Sequence, residues 1–485
     1  MTKSLKQAIA LATAIGAAAS AHAVNVDQDG HGSALLFPAY TAEAGNSTFV
    51  SLTNTTDAYK AVKVRFVEGM NSAEVLDFNL YLSPKDVWNG MVVKTADGAK
   101  LVSNDTSCIS ANKNGFPVAG MEFRNFEYSG KKIDAPTGYQ GLDRSRVGHI
   151  EVIDMGEISV DAFFPTAATE AEKTKVAQLQ AAILHDSNGV PGNCAVIHDA
   201  WNQGGTWKSD PSFAIAPSTG GLYGIASVVN VKAGWASSYD ALALANFSNA
   251  QLHAEPGDVK PSLTQARKTA TFKQGTTAES ATGIDAVSAV LMKEQIQNDY
   301  MIGAGLNAQT DMIITFPTKR QYVNGTANSA GVRQHTKPFT AGWDTKAAEA
   351  CEAVDVTYFD TEEGSLVLSD EQISPRPPAG EGLTLCHETN VLHISGSDLL
   401  GGEYVSHSLN LGAAFEQGWI NFDFRDTNRI ITLNSGTTAD PVDLEIKGLP
   451  AIGFSTISTQ NGDVGGLLSN YAQTFNHKAN VTLEN

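Results

Sequence analysis

The first residues with chemical potential lie near the amino terminus, in the run Asn25-Val-Asp27-Gln-Asp29-Gly30-His31-Gly32. Asn25, Asp27 and Asp29 alternate ahead of a glycine, which is how a calcium loop opens: oxygen ligands at odd positions converge on the cation. The bidentate Glu such a loop needs is missing at loop spacing, so a solvated turn is favoured over calcium, and no other cofactor is expected. His387-Glu388 begins like a zinc-protease motif. That motif needs its second imidazole four residues on, on the same helical face, whereas His393 stands six residues away. His185-Asp186 and His198-Asp199 set a carboxylate beside an imidazole, as a hydrolase does to orient its base. No GxSxG elbow supplies a nucleophile, and polar pairs in loops explain them more simply. Trp201, Trp207 and Trp235 lie among Gly, Ser and Asn and offer sugars a stacking platform; in a β-protein, Trp is more often a core or edge-capping residue. Lys319-Arg320 is too small a basic patch to hold a polyanion, and the sequon Asn46-Ser-Thr48 matters only in a host that glycosylates.

Four cysteines follow the first 23 residues: Cys108, Cys194, Cys351 and Cys386. None forms CxxC or CxxCH, so zinc ribbons, thioredoxin-type sites and c-type haem are unsupported. An even count in an exported chain implies two disulfides. Of the three connectivities, Cys108–Cys194 with Cys351–Cys386 is expected, because each closes a loop within one half of the chain.

The elements that must position these residues show mostly period two. Residues 61–68 set Val62, Val64 and Phe66 on one face and Lys63 and Arg65 on the other; residues 75–82 set Leu76, Phe78, Leu80 and Leu82 inward and Asp77, Asn79 and Tyr81 outward. These read as half-buried antiparallel strands. Turn clusters at roughly ten-residue spacing make the expected fold mainly β, an immunoglobulin-like β-sandwich with a few short helices, its core closed by Trp88. Further strands are expected at 148–154, 224–231, 311–316, 419–424, 430–433 and 443–446. A helix is expected over 169–185, with Thr169 and Glu172 as a capping box and Val176, Leu179 and Ile183 on one face. A second is expected over 285–300, with Asp285 as N-cap. Pro165, the run 324–332 and the proline-rich 374–382 mark loops.

Residues 1–23 read as a secretory signal peptide. Lys3 and Lys6 form the basic start, Ile9 to Ala19 the apolar stretch, and Ala21-His22-Ala23 the cleavage site. The organisation expected beyond it is a β-sandwich over 24–165, a mixed β-rich region with one or two helices over 166–330, and a β-rich region over 331–485. The net charge is −19, and −21 once Lys3 and Lys6 are removed. Such a surface repels nucleic acid and anionic lipid. With 42% hydrophobic and 18% charged residues, the chain packs a core. No later segment is apolar enough to span a bilayer.

Residues 49–54 (FVSLTN), 75–88 (VLDFNLYLSPKDVW), 310–320 (TDMIITFPTKR), 448–454 and 465–471 resemble a group of secreted proteobacterial proteins labelled as cell-surface proteins. The resemblance implies location and a β-rich fold and assigns no catalytic residue. The expected function is therefore an extracytoplasmic structural or adhesive cell-surface protein, not an enzyme, that pairs with itself or other envelope components through strand edges. Ala34-Leu35-Leu36-Phe37 is a candidate to donate a strand to a neighbour, though a strand of its own domain is the favoured reading. The alternative is a secreted hydrolase or carbohydrate-binding protein.

Overall fold

A computed structural model describes residues 23–164, 166–367, 373–374, 383–412, 414–436 and 441–484. The expected signal peptide, apart from Ala23, lies outside the described residues, as do Pro165 and residues 375–382 of the proline-rich loop. The alternating segments form antiparallel strands, Lys60–Glu68 and Glu74–Leu82 among them. The protein is mainly β, of sandwich class, with few short helices. No helix among the described residues is long and apolar enough to cross a membrane.

Two sheets make the first sandwich. The strand Ala34–Thr41 sits inside the larger, between Val147–Ile158 and Leu242–Ala245, with Lys60–Glu68 and Glu74–Leu82 beyond. The second sheet runs Trp235–Asp240, Leu222–Asn230, Ser47–Asn54, Val87–Lys94, Ala99–Val102. Phe78 meets Trp88 between the sheets at 5.8 Å, and Trp88 is wholly buried, as a core-closing residue should be. Gly224 is needed here, since a Cβ at that position would lie 2.4 Å from the ring of Phe37.

This pairing runs across two of the expected boundaries. Strands from 222–245 complete the first sandwich, so its sheets cross the boundary set at residue 165. Strands Gln295–Met301 and Ala308–Thr315 join sheets built from 352–476, so the boundary at 330 is crossed as well. Ala34-Leu35-Leu36-Phe37 is paired on both sides and buried throughout, so it serves its own sheet, the favoured of its two readings, and has no edge to donate. The face of Lys63, Arg65, Asn79 and Tyr81 is buried rather than solvated. Lys63 pairs with Asp77 and donates to the Asp258 carbonyl at 2.7 Å, while Asn79 donates to the Ala254 carbonyl at 2.9 Å. The segment around 254–258 thus roofs this face, and its carbonyls take the place of water.

Beside that roof, the helix Glu170–Ile183 packs Val176, Leu179 and Ile183 with Ala61, Met155 and Ile158. Its capping box joins Thr169 and Glu172 as expected. The second expected helix is shorter: it runs Gly283–Leu291, capped by Thr282 rather than Asp285, and residues 295–301 form a strand. There Ile296, Asn298 and Tyr300 point into the protein and Gln297 and Asp299 away from it, and this period of two overrides the helical one.

The remaining strands form a second pair of six-stranded sheets, with a five-stranded and a two-stranded sheet beside them. Ile420, Phe422 and Phe424 are buried as their alternation requires. Both disulfides connect as expected, Cys108–Cys194 and Cys351–Cys386. Two long edge strands, Trp235–Asp240 and Leu467–Asn476, lie against each other: Ser237 bonds Thr474, and Asn470 donates to the Ala233 carbonyl.

Candidate functional site

The residues with suspected chemistry are mostly occupied in holding the fold. Asn25 sits on a strand paired to Ala245, and its Oδ1 accepts from Asn246 at 3.2 Å. The Oδ1 of Asp27 accepts from the backbone N–H of Asp29 and of His31, both at 3.0 Å, as an Asx turn does. Among the described residues one His/Cys/Asp/Glu cluster has metal-like spacing, Glu349 with Cys351 and Cys386, and those two sulfurs are bonded to each other.

His185 is bonded elsewhere than to Asp186. Its Nδ1 lies 3.1 Å from Ser83 Oγ and 3.4 Å from Asp86 Oδ2. A nucleophilic triad needs hydroxyl and carboxylate on different ring nitrogens. Here one nitrogen meets both, and Asp86 Oδ2 also accepts from the Ser83 N–H at 3.0 Å, so the cluster holds a turn. His198 does bond Asp199, at 3.0 Å, on the exposed side of a short helix.

Trp201 and Trp207 are core residues. Tyr81 stacks on Trp207 at 5.2 Å, Trp201 donates to the Tyr81 hydroxyl at 2.8 Å, and His253 closes the group. Burial holds the His253 pKa down at about 4. Trp235 is also buried, so none of the three gives sugars a platform. Asn46 is buried with its amide on the Leu399 carbonyl at 2.8 Å, which leaves no access for glycosylation.

Glu388 and Lys319 are buried near the half-buried His387. Lys319 donates to the carbonyls of Leu385 and His387 at 3.3 and 3.4 Å, and Arg320 to that of Asn71 at 2.6 Å. Neither forms a basic patch. Burial pushes the Glu388 carboxyl up to about 8, against the opposing pull of Lys319. At neutral pH the folded state therefore holds a proton that the unfolded chain has lost, and stability falls as pH rises from about 4.5 towards 8. Glu388→Gln removes that titration. Urea unfolding is expected to show the variant gaining about 2–3 kcal/mol on the parent between about pH 6 and pH 8, at ~1.36 kcal/mol per pH unit.

One face of the second sandwich offers a site that sequence reading passed over. The strand Gln417–Asp423 lies between Gln295–Met301 and Glu352–Asp360. Its register sets Gln297 opposite Asn421 and Gln295 opposite Asp423, and each Gln donates across at 2.9 Å. One step along, Asp299 and Phe359 flank Trp419, and the Phe359 and Trp419 rings stack with centroids 4.2 Å apart. Trp419 is 39% exposed, Phe475 39% and Tyr471 60%. The three aromatics line an open groove of about 530 Å³ with Asp299, Asp360 and Gln473. Its ionisable side chains include two carboxylates, so it favours neutral or cationic ligands over anions.

The signal for this groove was present in the sequence. Ile420, Phe422 and Phe424 fix the inward phase, and Trp419 falls in the outward phase beside Gln417, Asn421 and Asp423. Tyr471 and Phe475 likewise share a phase with Gln473. Aromatic rings on the polar phase of a strand mark a surface used for contact. Comparison of the chain with family models, with curated proteins and with solved structures finds no match.

Proposed function

We propose that this is an exported, adhesive cell-surface protein that holds neutral oligosaccharides in the groove at Trp419. The observation that carries the reading is the composition of the groove: exposed rings of Trp419, Tyr471 and Phe475 beside the carboxylates of Asp299 and Asp360 and the amide of Gln473. A pyranose presents apolar C–H faces and a rim of hydroxyls. Rings cover the first, while carboxylates and amides bond the second. Binding of this kind, without bond cleavage, fits a surface adhesin. Export is supported by the signal-like first 23 residues and by two disulfides, which belong to oxidising compartments. Pairing through strand edges has less to work with, because the two long edges at 235–240 and 467–476 already face each other.

The test is a panel of neutral, amino and uronic oligosaccharides applied to the purified chain by calorimetry. Neutral glycans are expected to bind, and Trp419→Ala to weaken them at least about tenfold, as loss of a central aromatic does. Binding to no neutral glycan, or undiminished binding by Trp419→Ala, rejects the reading. Fractionation of the producing cell tests location: a chain retained in the cytoplasm with Met1 intact removes the surface role.

A further inference from the structure

A second cavity, of about 230 Å³, lies where the two sandwiches meet. Pro38 and Leu242 come to it from the first sandwich, and Lys293, Ile296 and Ile452 from the second half of the chain. It shares no lining residue with the groove at Trp419. At ~30 Å³ per water it holds about seven or eight waters, below the roughly 300–1,000 Å³ of drug-sized sites, so its ligand is small.

The walls are largely apolar, and the two charges among them, Lys293 and Asp240, are not paired with each other. Lys293 makes no hydrogen bond or ion pair through its side chain among the described residues, and burial lowers its pKa with no acid offsetting the effect. The other titratable side chains at the cavity are settled. His477 is held neutral by burial, its Nδ1 3.0 Å from the Asn298 amide and its Nε2 2.8 Å from the Ile313 carbonyl. Asp240 is exposed and forms no pair with Lys293. Lys293 is half-buried, so water meets its ammonium in the free protein, and a carboxylate brought in by an apolar ligand can take that water's place.

We propose that this cavity binds a small carboxylate with an apolar body, the carboxylate on Lys293 and the chain against Pro38, Leu242, Ile296 and Ile452. The ligand touches both halves of the fold, so it ties them together and stabilises the native chain by mass action. A bound carboxylate also keeps Lys293 protonated, so affinity falls as pH rises and the free amine loses its proton.

Calorimetric titration of the full chain with hexanoate, 1-hexanol and hexylamine tests this. Hexanoate is expected to bind about 10- to 100-fold more tightly than hexanol, the scale of a charge-assisted hydrogen bond, and hexylamine most weakly. Lys293→Met is expected to abolish the preference for hexanoate over hexanol. Equal binding of acid and alcohol to the parent protein, an unchanged preference in Lys293→Met, or no hexanoate binding at millimolar concentration overturns the proposal. Should Lys293→Met fail to fold, the comparison of acid with alcohol on the parent protein decides alone. None of these probes is a sugar, so failure here leaves the groove reading standing.

Discussion

Replacing Arg144 by Met is expected to lower the unfolding free energy by about 3–5 kcal/mol at neutral pH, the range for breaking a buried ion pair by removing one partner. Arg144 is wholly buried and forks onto Glu68, Nε to Oε2 and Nη2 to Oε1, both at 2.8 Å. It reaches Asp134 through Nη1 at 2.9 Å and Nη2 at 3.0 Å, and stacks over the Tyr128 ring at 4.3 Å. Methionine fills much of the space but strands two carboxylates. Burial alone would raise Glu68; Arg144, with the N–H groups of Ala73 and Met70, holds it below the usual carboxylate range. A carboxyl held low stabilises the fold above its unfolded pKa and stops doing so as pH falls through the folded one. In Arg144→Met the sign reverses, because Glu68 then rises by desolvation and the variant recovers stability towards acid. Chemical denaturation at pH 7 and 5 measures both effects, and adding Glu68→Gln should restore part of the loss. An equal loss at both pH values, or none, would show that the network is not ionic in the way described.

Buried charge of this kind, at Lys63 and Arg65 as at Arg144, is what the sequence does not disclose. Alternation over 61–68 states which residues share a face and says nothing of whether the face is roofed. Lys63 is buried because Asp258, 195 residues on, supplies a carbonyl. Arg65 is buried because Glu74 and Glu151 stand on the two neighbouring strands. Buried charge is improbable residue by residue and becomes tolerable only once such partners arrive. The positions of the strands named from alternation, the helix at 170–183, both disulfides and the role of Trp88 rest on local pattern or loop arithmetic, and those were readable, whereas strand ends were not: the strand expected over 148–154 runs Val147–Ile158.

Sheet membership was not, for the same reason. Nothing local tells the strand Ser47–Asn54 that its partner is Leu222–Asn230. The groove at Trp419 is an intermediate case: the outward phase of Trp419 and Tyr471 was legible, whereas the meeting of their two strands was not. His185-Asp186 and the three tryptophans at 201, 207 and 235 are spaced by chance relative to chemistry. What they share is proximity in sequence, and the fold sends Asp186 and His185 to different partners.

Removing the Cys108–Cys194 bond, as Cys108→Ala with Cys194→Ala, is expected to cost about 4–5 kcal/mol, since the bond spans 86 positions. Cys351–Cys386 spans 35 and is worth slightly less on the same model. The larger loss is also expected to be local. Cys108 sits on a two-residue strand at the margin of the first sheet, and Cys194 begins the helix Cys194–Ala200. That helix, the helix Glu170–Ile183 and the Trp201–Trp207–Tyr81 group form an apolar cluster of their own, separate from the continuous core of the sheets. Without the bond, this cap can open while the sandwich stays closed, as units of low local stability do. Hydrogen exchange should then accelerate over 170–207 by about a thousandfold, the factor for ~4 kcal/mol, with the strand 147–158 little changed. Tryptophan fluorescence should shift early in urea, ahead of the main transition. One cooperative transition, with equal acceleration in cap and sheet, would show that the cap is not a separate unit and that the bond acts on the whole fold.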